Sequence, residues 1–398
     1  MKKKFRDSVK GGERSKEKNR NFDTFRVATI GVSHGIHDTY TAFIAPLLPV
    51  FIQNLLLTKA EAGLLTVFVR GPSVIQPFIG HLTDRYHLHH LVIFTPAVGA
   101  VLMSITPVIP SFTLLIFVLL LAGVNSAALH AVGPVIAGRL SAKSLGKGMS
   151  FWMVGGELGR TLGPIVVVTA LAHLTVKGLP WLMIGGITAS IFLFIKLKDV
   201  HIHHHATHEP LPWKKALKKM RPLIFPLSMV IIGRGFVQAS LTTFLPTFLT
   251  EEGSSLWLAG VSLTILQGAG VIGAFVSGSL SDRFGRKVLL YISFIGAPLF
   301  LLIFITVQGW IRFILLPILG FITISVTPVI MAMVQENYPE NRALANGIYM
   351  FLNFVLRSGV IVTVGVLGDM FGLFRSYVIG SFIMLGCLPF IFLLPRDS

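Results

Sequence analysis

The feature that most restricts this chain is a series of apolar runs, each long enough to cross a bilayer. Twelve can be drawn, at 27–54, 60–82, 91–109, 112–139, 148–172, 178–196, 222–249, 257–281, 288–306, 311–335, 343–369 and 374–394. They are called spans one to twelve below. A helix rises ~1.5 Å per residue, so about 20 residues cross a hydrocarbon core of about 30 Å. In that medium the backbone must satisfy its own polar groups, which leaves helices or a closed barrel. Runs this long, without strand-like alternation, predict helices. Charged residues are 13% of the chain, where soluble domains carry about 25%. The predicted fold is an all-α membrane protein with twelve transmembrane helices.

The net charge of +17 raises the question of nucleic acid, but its placement answers differently. Ten basic residues lie in the first 26 positions, and Lys196, Lys198, Lys214, Lys215, Lys218, Lys219 and Arg221 flank the middle of the chain. Basic segments of this kind are retained on the cytoplasmic side. Placing both termini there leaves only Lys59, Lys177, Arg312 and Arg375 outside, apart from four arginines within spans. The N-terminal stretch reads as a basic tail lying near anionic lipid. No nucleic-acid partner is expected. The first 26 residues are too long and too charged for the start of a secretory signal, so none is expected. The single cysteine, Cys387, excludes an intramolecular disulfide.

The spans divide six and six around a polar segment. The expected organisation is a basic cytoplasmic tail (1–26), an N-terminal six-helix bundle (27–196), a cytoplasmic His-rich linker (197–221) and a C-terminal six-helix bundle (222–398). The halves repeat. Gly80–Tyr86 reads GHLTDRY and Gly278–Phe284 reads GSLSDRF, each after the second span of its half. A shift of one residue in register sets Pro49 on Pro246, Arg160 on Arg357, Arg70 on Gln267 and His37 on Arg234. A same-orientation repeat predicts two pseudo-symmetric bundles about an axis along the membrane normal, with a central site.

Ionisable groups cost ~2.5–3.5 kcal/mol each at the centre of an inserted helix, so they mark function. Span one carries His34, His37 and Asp38, and His34 and Asp38 share a face at four-residue spacing. Arg70, Arg160, Arg234 and Arg357 lie near the middles of spans two, five, seven and eleven, against only two comparably deep acids, Asp38 and Glu157. Glu157 and Arg160, three apart, can pair. If Asp38 pairs with another arginine, two positive charges remain unmatched, and an anionic substrate is the simplest compensation. His37 and Arg234 are expected to face one another across the centre. Asp38 is the expected proton carrier, with His34 or Glu157 sharing the role.

GHLTDRYHLHH and GSLSDRFGRK resemble the signature loop of the major facilitator superfamily, Gly-x-Leu-x-Asp-Arg-x-Gly-Arg-Lys/Arg. The second copy is complete. The first departs after Tyr86, where His87, His89 and His90 stand. The resemblance implies gating at Gly80, Asp84 and Arg85 and at Gly278, Asp282, Arg283, Gly285 and Arg286. Asp84 and Asp282, at helix ends, can make charge-assisted bonds that break and reform as bundles rock. In span five, Gly155, Gly159 and Gly163 make a smooth face for close helix approach, and Gly270, Gly273 and Gly278 of span eight are a candidate partner face. Gly159-x-x-x-Gly163-Pro164 is similar to the span-five motif of drug-exporting members. Ser33, His34 and Asp38, with His130 in span four and VGG-x-x-G-x-x-x-GP, resemble the fosmidomycin-resistance branch, which exports a phosphonate antibiotic. Arg70 and Arg160 lie outside that pattern. The resemblance implies alternating access, proton-coupled export of a small anionic or amphiphilic compound, and a prokaryotic inner (plasma) membrane. His37, Arg70, His130, Arg160, Arg234 and Arg357 are the substrate-binding candidates.

Other classes fit less well. There is no His-Glu-x-x-His, no Gly-x-Ser-x-Gly and no phosphate loop, so neither an enzyme nor a nucleotide-driven pump is expected. No cofactor is expected. His201, His203, His204, His205 and His208 of the linker raise a metal-ion transporter as a rival, but no cysteine or paired-carboxylate ligand set inside the spans accompanies them, and no metal site is predicted. Remaining alternatives are an uptake carrier or antiporter for an organic anion or sugar, and a transporter-like sensor. A monomer in the lipid bilayer is expected.

Overall fold

A computed structural model describes residues 23–76, 78–79, 90–141, 145–197, 213–338 and 342–394. Within them, each of the twelve predicted spans is helical. Among the described residues, nine helical stretches are long and apolar enough to cross a membrane, and the one over Gly148–Leu197 contains both span five and span six. Spans one and two are interrupted.

The helix starts are written in the sequence. Span two begins at a capping box: Thr58 Oγ1 accepts from the Glu61 amide at 3.1 Å, and the Glu61 carboxylate accepts from the Thr58 amide at 2.9 Å. Ser111 and Ser255 cap spans four and eight in the simpler way, accepting from Leu114 and Leu258 amides. Gly285 and Gly372 precede spans nine and twelve at φ 94° and 80°, a region open to glycine without a Cβ penalty.

Span one runs as Thr24–Thr41 and Ile44–Leu55, and span seven as Trp213–Thr242 and Leu245–Glu251. A proline ring clashes with the carbonyl four residues before it. For Pro46 that residue is Ala42, where the first break begins, and for Pro246 it is Thr242, the last helical residue before the second. Pro49 continues inside its helix. Pro46 and Pro246 each stand just after a break, whereas Pro49, which the sequence repeat sets on Pro246, lies further inside its helix.

The small face of span five has a different partner from the one expected. A Cβ on Gly155 or Gly159 would overlap the carbonyls of Gly31 and Gly35, and one on Gly163 would overlap that of Thr39. Span five thus packs on span one, with its helix continuing through Pro164. Gly270 and Gly273 instead receive Ile324 and Phe321 of span ten. Close backbone approach explains both pairs, since lipid offers no hydrophobic gain for helix association and contact area must supply it.

Between the two halves, spans two and eleven pack together, as do spans five and eight. Asp369 at the end of span eleven accepts from the Lys59 and Ala60 amides at 2.7 and 3.0 Å. Lys59 Nζ lies 3.0 Å from Glu251, and Trp257 Nε1 donates to Thr169 Oγ1 at 3.1 Å. Among the described residues, every hydrogen bond and ion pair between the halves lies at this one end, where span one ends and span two starts.

Candidate functional site

Span one positions the first group of polar side chains. Its contact with the glycine face of span five brings His34 beneath Gly156, where no Cβ fits over the imidazole. The ring stacks on Trp152 at 3.8 Å between centroids and 16° between planes. Trp152 and Gly156 are four apart, so one turn supplies a floor and the next supplies space. His34, Asp38 and His37 are 3%, 2% and 0% exposed.

Around Asp38 the contacts are dense. His34 Nε2 is 3.3 Å from Oδ2, His130 Nε2 is 3.7 Å from Oδ1, and Arg160 Nη1 is 3.4 Å from Oδ2. Arg160 also pairs with Glu157. The expected Glu157–Arg160 pair is present, but Asp38 takes the same arginine and not another one. Both deep acids are thereby committed to Arg160. The His34 and His130 Nε2 atoms face each other at 3.1 Å.

The second half holds the other arginines. Arg234, 3% exposed, donates to the Thr323 carbonyl at 3.4 Å and to Thr327 Oγ1. Arg357 donates to Thr242 Oγ1 at 3.1 Å. Arg357 lies within electrostatic reach of Arg70, Arg234, Arg160 and the buried Tyr349. Arg70 is exposed within this region and lies in reach of Arg160 and Asp38. Among the described residues, Arg70, Arg234 and Arg357 have no carboxylate within ion-pair distance, three arginines where two were expected. The Nε atoms of Arg234 and Arg357 are buried without a hydrogen-bond partner. Three guanidinium groups drawn from both halves leave donors free for a planar or tetrahedral anion.

His37 is placed differently from its prediction. It does not face Arg234. Its ring is packed at Gly99 and Asn125, with Nδ1 3.4 Å from the Thr95 carbonyl. Its nearest charged neighbours are Asp38, His130 and His34 of the same half. The sequence alone also passes over Trp152, Asn125, Thr327 and Tyr349. Of these only Trp152, at helical spacing from the glycine face, left a readable signal.

His34, Asp38 and His130 put their ligand atoms within 4.8 Å of one another, close enough to hold a metal ion. Arg160, 3.4 Å from the same carboxylate, already supplies positive charge there, and a divalent ion would have to overcome it. The linker histidines lie outside the described residues.

At the signature loop, Gly80, Asp84 and Arg85 of the first copy also lie outside the described residues. In the second copy Arg286 is the hub. It pairs with Asp282 one turn before it and with Glu336 Oε1 at 2.7 Å, and it donates to Ser281. Arg283 lies over the Phe284 ring. Gly278 falls within the span-eight helix, and Gly285 makes the turn into span nine. The loop ties spans eight, nine and ten to one another.

The chain is similar to the fosmidomycin resistance protein of Escherichia coli (strain K12), at 24% identity over 378 residues and 91% of each chain. It is similar to the class G tetracycline resistance protein of Vibrio anguillarum, at 24% identity over 87% of this chain and 92% of that one. Among solved structures it shares its fold with the nucleoside transporter NupG (TM-score 0.75, 14% identity, 94% of this chain and 100% of that one). A bacterial homolog of the human lysosomal transporter Spinster, inward-facing and occupied, has TM-score 0.77 at 14% identity over 95% and 97% of the chains. The profile of the Major Facilitator Superfamily matches residues 30–360. With this match over most of its length and helices of membrane-crossing length, this chain is a multi-pass membrane transporter belonging to the Major Facilitator Superfamily.

Proposed function

We propose that this transporter is a proton-coupled exporter of small anionic compounds, of which phosphonate-type antibiotics are one class, working by alternating access in the prokaryotic inner membrane with both termini cytoplasmic. The observation that carries the reading is the set Arg70, Arg234 and Arg357, which meets at the centre without carboxylate partners. Arg234 is buried and so is the Nε of Arg357, and charge held there only by neutral dipoles is costly; an anion bridging these groups and the more exposed Arg70 removes that cost. Arg160 joins the set on the side of the first half, and His130 lies beside it. A membrane potential negative inside favours outward movement of an anion by ~2.3 kcal/mol per charge per 100 mV. Asp38, His34 and Glu157 form the proton-handling end. The inter-half bonds of Asp369, Lys59 and Glu251 close the outer face, and the hub at Arg286 belongs to the cytoplasmic gate. The unit is a monomer.

A second reading, uptake of an anion together with a proton, is favoured by one contact. Asp38 is shared between the imidazoles and Arg160. A proton placed beside Asp38 weakens its hold on Arg160 and leaves that arginine to an anion, so the two ligands bind together. Proteoliposomes decide between the readings. Fosmidomycin and a panel of organic phosphonates and carboxylates are followed under pH gradients of each sign. Accumulation against the inward proton gradient supports export, and accumulation with it supports uptake. No flux of any anion under either gradient would defeat both.

A further inference from the structure

The two imidazoles beside Asp38 carry a hydrogen-counting problem. His34 Nδ1 lies 2.8 Å from the Trp152 carbonyl, and His130 Nδ1 lies 2.9 Å from the Ser126 carbonyl. A carbonyl only accepts, so each of these contacts needs a hydrogen on the ring. The Nε2–Nε2 contact at 3.1 Å needs one more. Three hydrogens are therefore required of two rings, and two neutral imidazoles carry one each. Exchanging tautomers moves the conflict without removing it. Ser126 Oγ, 3.4 Å from His130 Nδ1, is the alternative donor, but using it would set the ring lone pair against the carbonyl oxygen at 2.9 Å. The rings cannot turn away cheaply, since His34 is clamped between Trp152 and Gly156. One added proton satisfies all three contacts and gives the pair a single positive charge.

We propose that the proton site of this transporter is the pair His34–His130, with the proton held between the two Nε2 atoms and Asp38 serving as its fixed counter-charge. This rests on the proton-coupled reading above and changes which group carries the proton. The charged and titratable groups around the pair are Asp38 and His37 from span one and Arg160 from span five, with Glu157 beyond them on Arg160 and Arg70 of span two in electrostatic reach of Asp38; the nearby side of span three offers the neutral Thr95. With the proton in place, the carboxylates Asp38 and Glu157 are matched by Arg160 and the imidazolium. The remaining arginines then stay available for an anion. The two rings also differ in access. The His130 side chain is 27% exposed and the His34 side chain 3%, so His130 is the point of entry and exit and His34 is the buried half of the pair.

The test is attenuated-total-reflection infrared difference spectroscopy of the full-length protein in lipid, stepped between acidic and neutral pH. The wild-type protein alone separates the carriers. An imidazolium signal that appears on acidification, without a carboxylic-acid C=O band from a buried group, is the expected result. His34→Gln and His130→Gln should each lose that signal, while Asp38→Asn should remove no carboxylic-acid band. A carboxylic-acid band in wild type that disappears in Asp38→Asn would overturn the proposal and return the proton to Asp38. The spectra do not depend on flux. An imidazolium signal in a protein that shows no pH-driven transport upholds the pair as a proton site and defeats the coupled-transport reading instead.

Discussion

The two halves of this transporter treat buried charge in opposite ways. In the N-terminal half, Arg160 is met by Asp38 and Glu157, and Asp38 also meets two imidazoles. In the C-terminal half, Arg234 and Arg357 are met by threonine oxygens, a carbonyl and Tyr349. Neutral dipoles solvate a cation without cancelling its field, and at low dielectric that field reaches far. The first half is therefore close to neutral within itself, while the second half, together with Arg70, holds uncancelled positive charge. A sequence repeat that equates Arg160 with Arg357 hides this asymmetry. One arginine is part of an ion-pair network, and its counterpart bonds a threonine, with no carboxylate within ion-pair distance among the described residues.

The largest expected effect comes from breaking the neutral half. Asp38→Asn removes the counter-charge of the imidazole pair and one partner of Arg160. Loss of one member of a buried ion pair costs ~3–5 kcal/mol, with Glu157 holding the loss to the lower end. Gradient-driven anion transport should fall to background in proteoliposomes. Counterflow of the anion at equal pH on both sides should stay within about threefold of wild type, since a threefold change is well under the 1.4 kcal/mol of a decade. Loss of counterflow as well, in a variant that remains monodisperse in detergent, would mean that the two halves do not divide the work.

The second expected effect lies in the half without carboxylates. Arg357→Ala and Arg234→Ala should each raise the anion concentration for half-maximal counterflow by about tenfold, the equivalent of ~1.4 kcal/mol of binding. Both should unfold at a temperature equal to or above that of wild type, because each removes an uncompensated charge and leaves no buried carboxylate behind. A fall in thermal stability without a change in half-saturation would make these arginines structural.

The sequence foretold the helices well because lipid imposes a single rule on backbone polar groups, and twelve apolar runs have one way to obey it. It foretold local pairs for a similar reason. Glu157–Arg160 and His34–Asp38 sit at helical spacing, and helical spacing is fixed once the helix exists. Contacts between helices were less legible. Which face of span five meets span one depends on Gly31 and Gly35 as much as on Gly155 and Gly159, and GVSHG, with only two glycines four apart, is a weak signal of a second smooth face. His130 was found through resemblance alone, since nothing within span four announces that its ring meets His34 nose to nose. The sharing of Arg160 by both acids was also invisible, because charge counts say how many partners are needed but not who reaches whom.

His37 offers the smallest effect and the finest test of the comparison. The repeat sets it opposite Arg234, whereas its ring is fully buried inside the first half at Thr95, Gly99 and Asn125. His37→Gln keeps an amide able to reach the Thr95 carbonyl, and it should leave half-saturation of counterflow within about twofold, well short of the tenfold that marks 1.4 kcal/mol. Its cost should appear in unfolding, at about 1 kcal/mol, the value of a typical buried hydrogen bond made less well. Helices related by a repeat share their positions along the membrane normal, but the direction of a side chain is set by the neighbour it packs against, and span three is the neighbour here. If His37→Gln raised half-saturation as far as Arg234→Ala, the two positions would act at one site after all. The proposed division between a proton-holding half and an anion-holding half would then have to be redrawn along the central axis, with His37 on the anion's side.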